Sequence, residues 1–170
     1  MKGRGSIVLL LIAAAILLRP WEHHGAAPGA SEHLIGRVVR AVDGDTLEVA
    51  IDGGPTETVR LIGVDTPETV KPDTPVQCFG PRASAFEHRT VEGHRVRLLT
   101  GVEPRDYYGR LLAYVWVEAP GSRERFLEAE LLRRGLARLL TFHPNDRFAH
   151  RFERLEQKAA KSGKGLWNAC

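Results

Sequence analysis

Nine consecutive residues, Arg60-Leu61-Ile62-Gly63-Val64-Asp65-Thr66-Pro67-Glu68, place one guanidinium and two carboxylates at the end of an apolar run. A strand that leads into Asp-Thr-Pro-Glu predicts a rigid turn, because proline fixes its own φ and biases the preceding residue to an extended conformation. Such a turn can hold Asp65 as a hard-metal ligand while Glu68, three residues on, faces the same cavity. Two further segments carry complementary groups. Asp43-Gly44-Asp45-Thr46 adds carboxylates, and Asp106-Tyr107-Tyr108-Gly109-Arg110 adds a second arginine beside two aromatics. Hydrolysis of a phosphodiester at neutral pH needs charge neutralisation at the phosphate, an activated water and a positioned leaving group, and these residue types match those needs.

Each residue also has a plainer reading. Asp45 and Asp65 are hard oxygen donors suited to Ca²⁺, Mg²⁺ or Mn²⁺ rather than to thiophilic metals. Taken alone, Asp43-Gly44-Asp45-Thr46 reads as an ordinary turn, since Asp and Gly favour turns by themselves. An EF-hand is excluded, because the twelfth residue counted from Asp43 is Gly54 rather than the required glutamate. Glu68, with an ordinary pKa near 4.3, is ionised at pH 7 and can accept a proton from water; its alternative is a solvated loop carboxylate. Arg60 and Arg110 offer planar forks that match two phosphate oxygens, although an arginine in an apolar strand can also snorkel to solvent. Strict alternation puts Arg60 and Asp65 on opposite faces of a strand. A shared site therefore requires the backbone to bend between them, and Gly63 is where a bulge is expected.

In this order, the three segments resemble those of the staphylococcal nuclease (thermonuclease) family. The likeness runs from about Gly36 to Trp167 and takes in Gly80-Pro81-Arg82-Ala83-Ser84-Ala85-Phe86, Arg134-Gly135-Leu136-Ala137 and Gly165-Leu166-Trp167. The resemblance implies an α+β fold, a five-stranded OB-fold Greek-key β-barrel with about three packed helices. It implies that Asp45, Asp65 and the carbonyl of Thr66 bind Ca²⁺, with Asp43 a nearby carboxylate one layer further out. Glu68 then activates the water, and Arg60 and Arg110 clamp the phosphate. Tyr108 aligns with a substrate tyrosine of the family and Tyr107 falls where a lysine can sit, so both are candidates for stacking on or bonding to substrate. The chain departs from the family at Thr141-Phe142-His143, where tyrosines are offered, and that bears on base stacking and nucleotide preference. The expected activity is that of an exported Ca²⁺-dependent endonuclease acting on DNA and RNA with low sequence specificity. Cleavage of the 5′-oxygen bond would leave 3′-phosphate ends. The alternatives are a non-catalytic nucleic-acid- or protein-binding module on the same barrel and a phosphodiesterase for small nucleotides.

The elements that must position these groups are short. Leu34–Val42, Thr46–Ile51 and Glu57–Val64 read as strands separated by Asp43-Gly44 and by Asp52-Gly53-Gly54-Pro55. Pro67 to Pro81 holds four prolines and is a surface loop. Arg95–Leu99 and Leu111–Val117 are further strands. Helices are expected over Ala83–Val91, Phe126–Arg134 and Arg147–Lys161, the last with Phe148, Phe152, Leu155 and Ala159 as a packing stripe and Asn145 or Asp146 as its cap. By themselves these patterns reach only an α+β class.

At 170 residues the chain holds one domain, placed at 33–170, plus an appendage. Of the formal charge of +3, two units come from Lys2, Arg4 and Arg19 against Glu22, so the domain is close to neutral. Global charge thus argues neither for nor against a nucleic-acid partner, and individual arginines must carry that argument. Lys2 and Arg4 followed by the uncharged apolar run Ile7 to Leu18 read as an export signal over 1–20, ahead of a Gly/Ala/Pro/His-rich linker at 21–32. As a helix, that run spans about 18 Å, short of a hydrocarbon core of about 30 Å. Cleavage and retention, with residues 6–18 as a membrane tether, both stay open. The expected destinations are secretion, the periplasm or the outer face of the cell membrane. Cys78 and Cys170 agree with an oxidising destination and match no zinc spacing. They stand as a disulfide pair or as two free thiols. The seven histidines show no metal or triad spacing, and the sequence indicates no organic cofactor and no obligate protein partner.

Overall fold

The computed structural model describes residues 31–69, 75–119, 121 and 123–170. The expected export segment, its tether and most of the linker lie outside the described residues. In chain order the elements are β1 (His33–Ala41), β2 (Thr46–Ile51), β3 (Thr56–Leu61), β4 (Gly63–Asp65), α1 (Gly80–Val91), β5 (Arg95–Arg105), β6 (Leu111–Val117), β7 (Arg125–Phe126), α2 (Leu127–Arg134), β8 (Arg138–Leu140), α3 (Ala149–Lys161) and the single turn α4 (Leu166–Ala169).

The first three strands form an antiparallel meander because the predicted turn residues reverse the chain twice. Gly53, at φ +73°, supplies a left-handed conformation that other residues resist. Pairing runs Val38↔Val49 and Thr46↔Arg60, and β1 continues the sheet on its other edge through Gly36↔Val96 of β5. β6 pairs antiparallel with β5 and parallel with β3, the latter through Val59↔Leu111 and Leu61↔Ala113, so five strands close into a barrel. This is the expected OB-fold barrel of an α+β domain. Inward positions alternate along the strands and bury Val38, Leu47, Val49, Val59, Leu61, Leu98 and Val115, each worth about 1.5 to 3 kcal/mol when fully removed from water.

The helices cover the barrel's flank and end. Trp116, Phe126, Phe148 and Phe152 interlock with Tyr114, and the Trp116 and Phe126 rings stack at 4.4 Å. Phe148 and Phe152 are therefore packing residues, as their helical spacing predicts. A buried carboxylate ties α2 to the barrel: both oxygens of Glu128 accept the Val115 N–H, at 3.0 and 3.3 Å.

Several boundaries differ from the sequence reading. Helix α1 begins at Gly80, because Pro81 fits the first turn, where its missing N–H costs nothing. Phe126 pairs with Trp116 in a short strand, so α2 starts one residue later than expected. Strand β5 runs on to Arg105, well past the expected end at Leu99. Neither Asn145 nor Asp146 caps α3 with its side chain; the capping position is Phe148. The Asn145 side chain instead accepts the Glu103 N–H at 3.1 Å and donates to the Glu103 carbonyl at 2.9 Å, holding the extended arm of β5. Cys78 and Cys170 are joined in a disulfide, with Cα atoms 5.9 Å apart, which decides between the two alternatives for these thiols.

Candidate active site

Asp45 sits at the end of the β1–β2 turn. The Asp43 carboxylate accepts the Asp45 N–H at 3.0 Å, an Asx turn that fixes the loop. Asp45 is buried and takes four partners. Its Oδ2 accepts the Thr66 N–H at 2.8 Å and the Thr66 hydroxyl at 3.1 Å. Its Oδ1 accepts the Thr46 hydroxyl at 3.2 Å and lies 3.2 Å from Arg60 Nη1. Burial pushes the Asp45 carboxyl up to about 6, with the Arg60 guanidinium pulling the other way and Asp43 adding to the rise.

The chain breaks between Arg60 and Asp65 where the alternation argument requires it. Strand β3 ends at Leu61, Gly63 adopts φ +86°, and β4 leaves the barrel to pair with β8 through Val64↔Leu139. Only glycine fits here, since a Cβ at position 63 would lie 2.6 Å from the Phe152 ring. The bend returns Asp65 to the side of Arg60, with Arg60 Nη2 and Asp65 Oδ1 3.2 Å apart. Arg60 Nη1 also donates to the carbonyls of Leu61 at 3.1 Å and Val64 at 2.9 Å. The guanidinium thus fixes the turn as well as facing the cavity.

Glu68 follows the turn. Its N–H donates to Gln77 Oε1 at 3.0 Å, its carbonyl accepts the Gln77 N–H at 2.9 Å, and its Oε1 accepts the Thr69 N–H at 2.8 Å. On the far side, Asp106 organises the hairpin that carries Arg110. Asp106 Oδ1 accepts the N–H groups of Tyr108 and Arg110, both at 2.9 Å, and Oδ2 accepts Arg110 Nε at 2.7 Å.

A cavity of about 190 Å³ brings these segments together; Asp43, Asp45, Arg60, Asp65, Thr66, Glu68 and Arg110 all line it. Its carboxylate end offers oxygen donors without thiol or imidazole, the donor chemistry of a hard cation that completes its shell with water. Among the described residues no group of three or more His, Cys, Asp or Glu side chains is arranged to hold a metal ion. The fit therefore rests on the donor chemistry of the two carboxylates Asp45 and Asp65.

Arg60 and Arg110 also border an adjoining apolar groove of about 420 Å³, walled by Tyr107, Tyr108, Leu112, Leu140 and Phe142. Tyr107 is 97 % exposed, Tyr108 79 % and Phe142 69 %, so three aromatic rings face solvent around this groove. The sequence reading left base stacking in question at Thr141-Phe142-His143. In the structure Phe142 supplies an aromatic face there, without a phenolic hydroxyl. Tyr107, Tyr108 and the two arginines meet here, whereas Cys78 and Cys170 stand apart from both cavities.

Sequence reasoning missed the residues that hold the site. Gln77, which clamps Glu68, sits in a stretch with no local signature, and Asn145, which reads as a helix cap, instead fixes the loop behind Phe142. Glu87 is fully buried on α1 with no hydrogen-bond partner for either oxygen among the described residues. A carboxylate at an apolar-stripe position of that helix was its available signal.

A family model described as staphylococcal nuclease homologue matches residues 58–169. A protein named thermonuclease from Staphylococcus hyicus is 39 % identical over 99 % of both chains, and one of the same name from Staphylococcus intermedius is 38 % identical over 95 % of both. Endonuclease YncB from Bacillus subtilis (strain 168) is 42 % identical over 76 % of this chain and 59 % of its own length.

Proposed function

The chain belongs to the staphylococcal nuclease family, and on that premise we propose that it is an exported, Ca²⁺-dependent nuclease that hydrolyses DNA and RNA with low sequence specificity. The observation that carries this reading is the convergence of Asp45, Asp65, Arg60, Glu68 and Arg110 on one polar cavity beside an aromatic groove. Asp45, Asp65 and the Thr66 carbonyl would hold the cation, which when bound supplies charge neutralisation and Lewis acidity at the phosphate. Glu68 accepts a proton from the attacking water as the new O–P bond forms. The P–O5′ bond breaks, the departing 5′-oxygen takes up a proton, and the phosphate stays on the 3′ side. Arg60 and Arg110 stabilise the charge that builds on the non-bridging oxygens, where a fixed guanidinium fork costs little reorganisation. Tyr107, Tyr108 and Phe142 hold the neighbouring base or sugar, a contact tolerant of sequence because every base has a π-face.

Export rests on the leader at 1–20, and the Cys78–Cys170 disulfide supports an oxidising destination, in solution or held by residues 6–18. The test is digestion of denatured DNA by the 170-residue chain with Ca²⁺, with a Ca²⁺ chelator, and with Glu68→Gln in place of the wild type. Ca²⁺-dependent cleavage that falls by about 10² to 10⁴ in the variant is expected. Folded protein that binds DNA and leaves it uncut with Ca²⁺, Mg²⁺ or Mn²⁺ would return the chain to the binding-module alternative.

A further inference from the structure

Four arginines on the surface of this domain are neutralised by carboxylates. Arg40 pairs with Glu48, Arg95 with Asp52, Arg97 with Glu124 and Arg105 with Glu57. A second groove, of about 750 Å³, instead gathers several cations around a single carboxylate. Arg82 and Arg89 of α1, Arg133 and Arg134 at the end of α2, and Lys164 all line it. Glu130 is the groove's one lining carboxylate, and it is engaged by Arg133 and Arg134. Among the described residues no carboxylate lies within 4.0 Å of a charged nitrogen of Arg82, Arg89 or Lys164. A domain of nearly balanced charge thus gathers five cations against one carboxylate in a single concave surface.

Two aromatic rings, Phe79 and Phe86, line the groove with these cations. Arg82 lies over the Phe79 ring at 5.2 Å and Arg134 over Phe86 at 4.9 Å, cation–π contacts that hold both side chains at the groove. The groove also opens beside the cavity. Gly80, next to Phe79, packs so closely on the catalytic turn that a Cβ there would lie 3.0 and 3.1 Å from the carbonyls of Pro67 and Glu68. From Gly80 to Arg89, α1 advances about 14 Å, the reach of a few nucleotides beyond that turn.

We infer that this groove is a second binding site, for the sugar-phosphate backbone of the same single-stranded polynucleotide whose scissile bond occupies the cavity. The inference rests on the nuclease reading for its ligand class, and its own support is the charge complementarity of a concave surface that holds five cations against one carboxylate. The groove grips polymer and has no part in the bond-breaking step. Short substrates that end near the cavity gain nothing from it.

The experiment measures binding of a fluorescent single-stranded DNA 24-mer by anisotropy, with a divalent chelator present so that no turnover is needed. Wild type is compared with the triple variant Arg82→Gln, Arg89→Gln, Lys164→Gln and with Glu130→Gln, over a range of NaCl concentrations. The triple variant is expected to bind about tenfold more weakly. Its slope of log affinity against log salt should be shallower by about 2, since each phosphate contact on a single strand contributes about 0.7. Glu130→Gln is expected to bind more tightly, an effect that misfolding cannot produce. On a trinucleotide with Ca²⁺ the triple variant should keep wild-type kcat/KM. Unchanged affinity and salt slope in the triple variant overturn the inference. Weakened binding by the variant while the wild type cuts neither substrate would sink the nuclease reading and leave the groove standing.

Discussion

Gly44 lies so close to Thr66 that a Cβ at position 44 would sit 2.5 Å from the Thr66 hydroxyl oxygen. The two loops that carry Asp45 and Asp65 therefore touch across a position where a side chain has no room. Gly44→Ala must push the loops apart or strain the Asp45–Thr66 hydrogen bonds. Overpacking of this kind costs about 1 to 3 kcal/mol. The expected outcome is a lower urea midpoint and a raised Ca²⁺ requirement for DNA cleavage, with the Ca²⁺ titration read at saturating DNA.

Glu87 faces Asp45 and Asp43 from the β1–β2 turn, Glu128 from α2 and Arg60 from β3, and burial with the three carboxylates outweighs the one arginine. Burial, then those charges, raises its pKa well above the ordinary glutamate value. The folded state then binds one more proton than the unfolded state between the ordinary and the raised value. Stability attributable to this group is fully present below the unfolded pKa and is lost as pH rises through the folded one. Each unit of difference corresponds to about 1.4 kcal/mol. Glu87→Gln removes the titration, so the Tm of the variant relative to wild type should climb between pH 5 and pH 8. The measurement is thermal unfolding without divalent cations. A constant difference across that range would refute the assignment.

The barrel was legible because its strands announce themselves locally: Asp43-Gly44 and Asp52-Gly53-Gly54-Pro55 reverse the chain, and the inward residues alternate between them. The break at Gly63 was legible for a different reason. Arg60 and Asp65 could share a site only if alternation failed, so the chemistry predicted the geometry, and the 3.2 Å contact is its result. What stayed hidden depends on long-range meetings. Asn145 reads as a helix cap and instead holds Glu103, 42 residues away. The Gln77 clamp on Glu68 crosses a proline-rich loop without periodicity, and the cationic groove assembles only when α1, α2 and Lys164 come together. The OB topology itself came from family resemblance, since alternation fixes faces and not strand order.

Phe142 takes over at a place where the family offers tyrosines, and it stands 69 % exposed on the wall of the groove shared by Arg60 and Arg110. An exposed phenylalanine beside two tyrosines has stacking as its available contribution. Phe142→Ala is expected to raise KM for DNA by the equivalent of about 1 to 3 kcal/mol and to leave kcat nearly unchanged. Phe142→Tyr should restore wild-type KM. Steady-state kinetics on denatured DNA decide the matter, and a variant that loses kcat instead would place Phe142 in the chemical step.

The Cys78–Cys170 disulfide links the lead-in of α1 to the C-terminus across a sequence separation of 92. A loop of that length gives an ideal stabilisation of about 4 to 5 kcal/mol through the unfolded state, and native bridges commonly deliver 2 to 4. Its position adds a second consequence. Cys78 follows Gln77, whose side chain and backbone both bond Glu68, so the bridge anchors the segment that clamps the proposed general base. Cys78→Ser with Cys170→Ser should lower the unfolding free energy by about 2 to 4 kcal/mol. It should also reduce kcat at temperatures where the variant remains fully folded. Reduction of the wild type with dithiothreitol should reproduce both effects, measured by urea unfolding and by initial rates on denatured DNA. Lost stability with wild-type kcat would confine the bridge to holding the fold together and free the Glu68 turn from it.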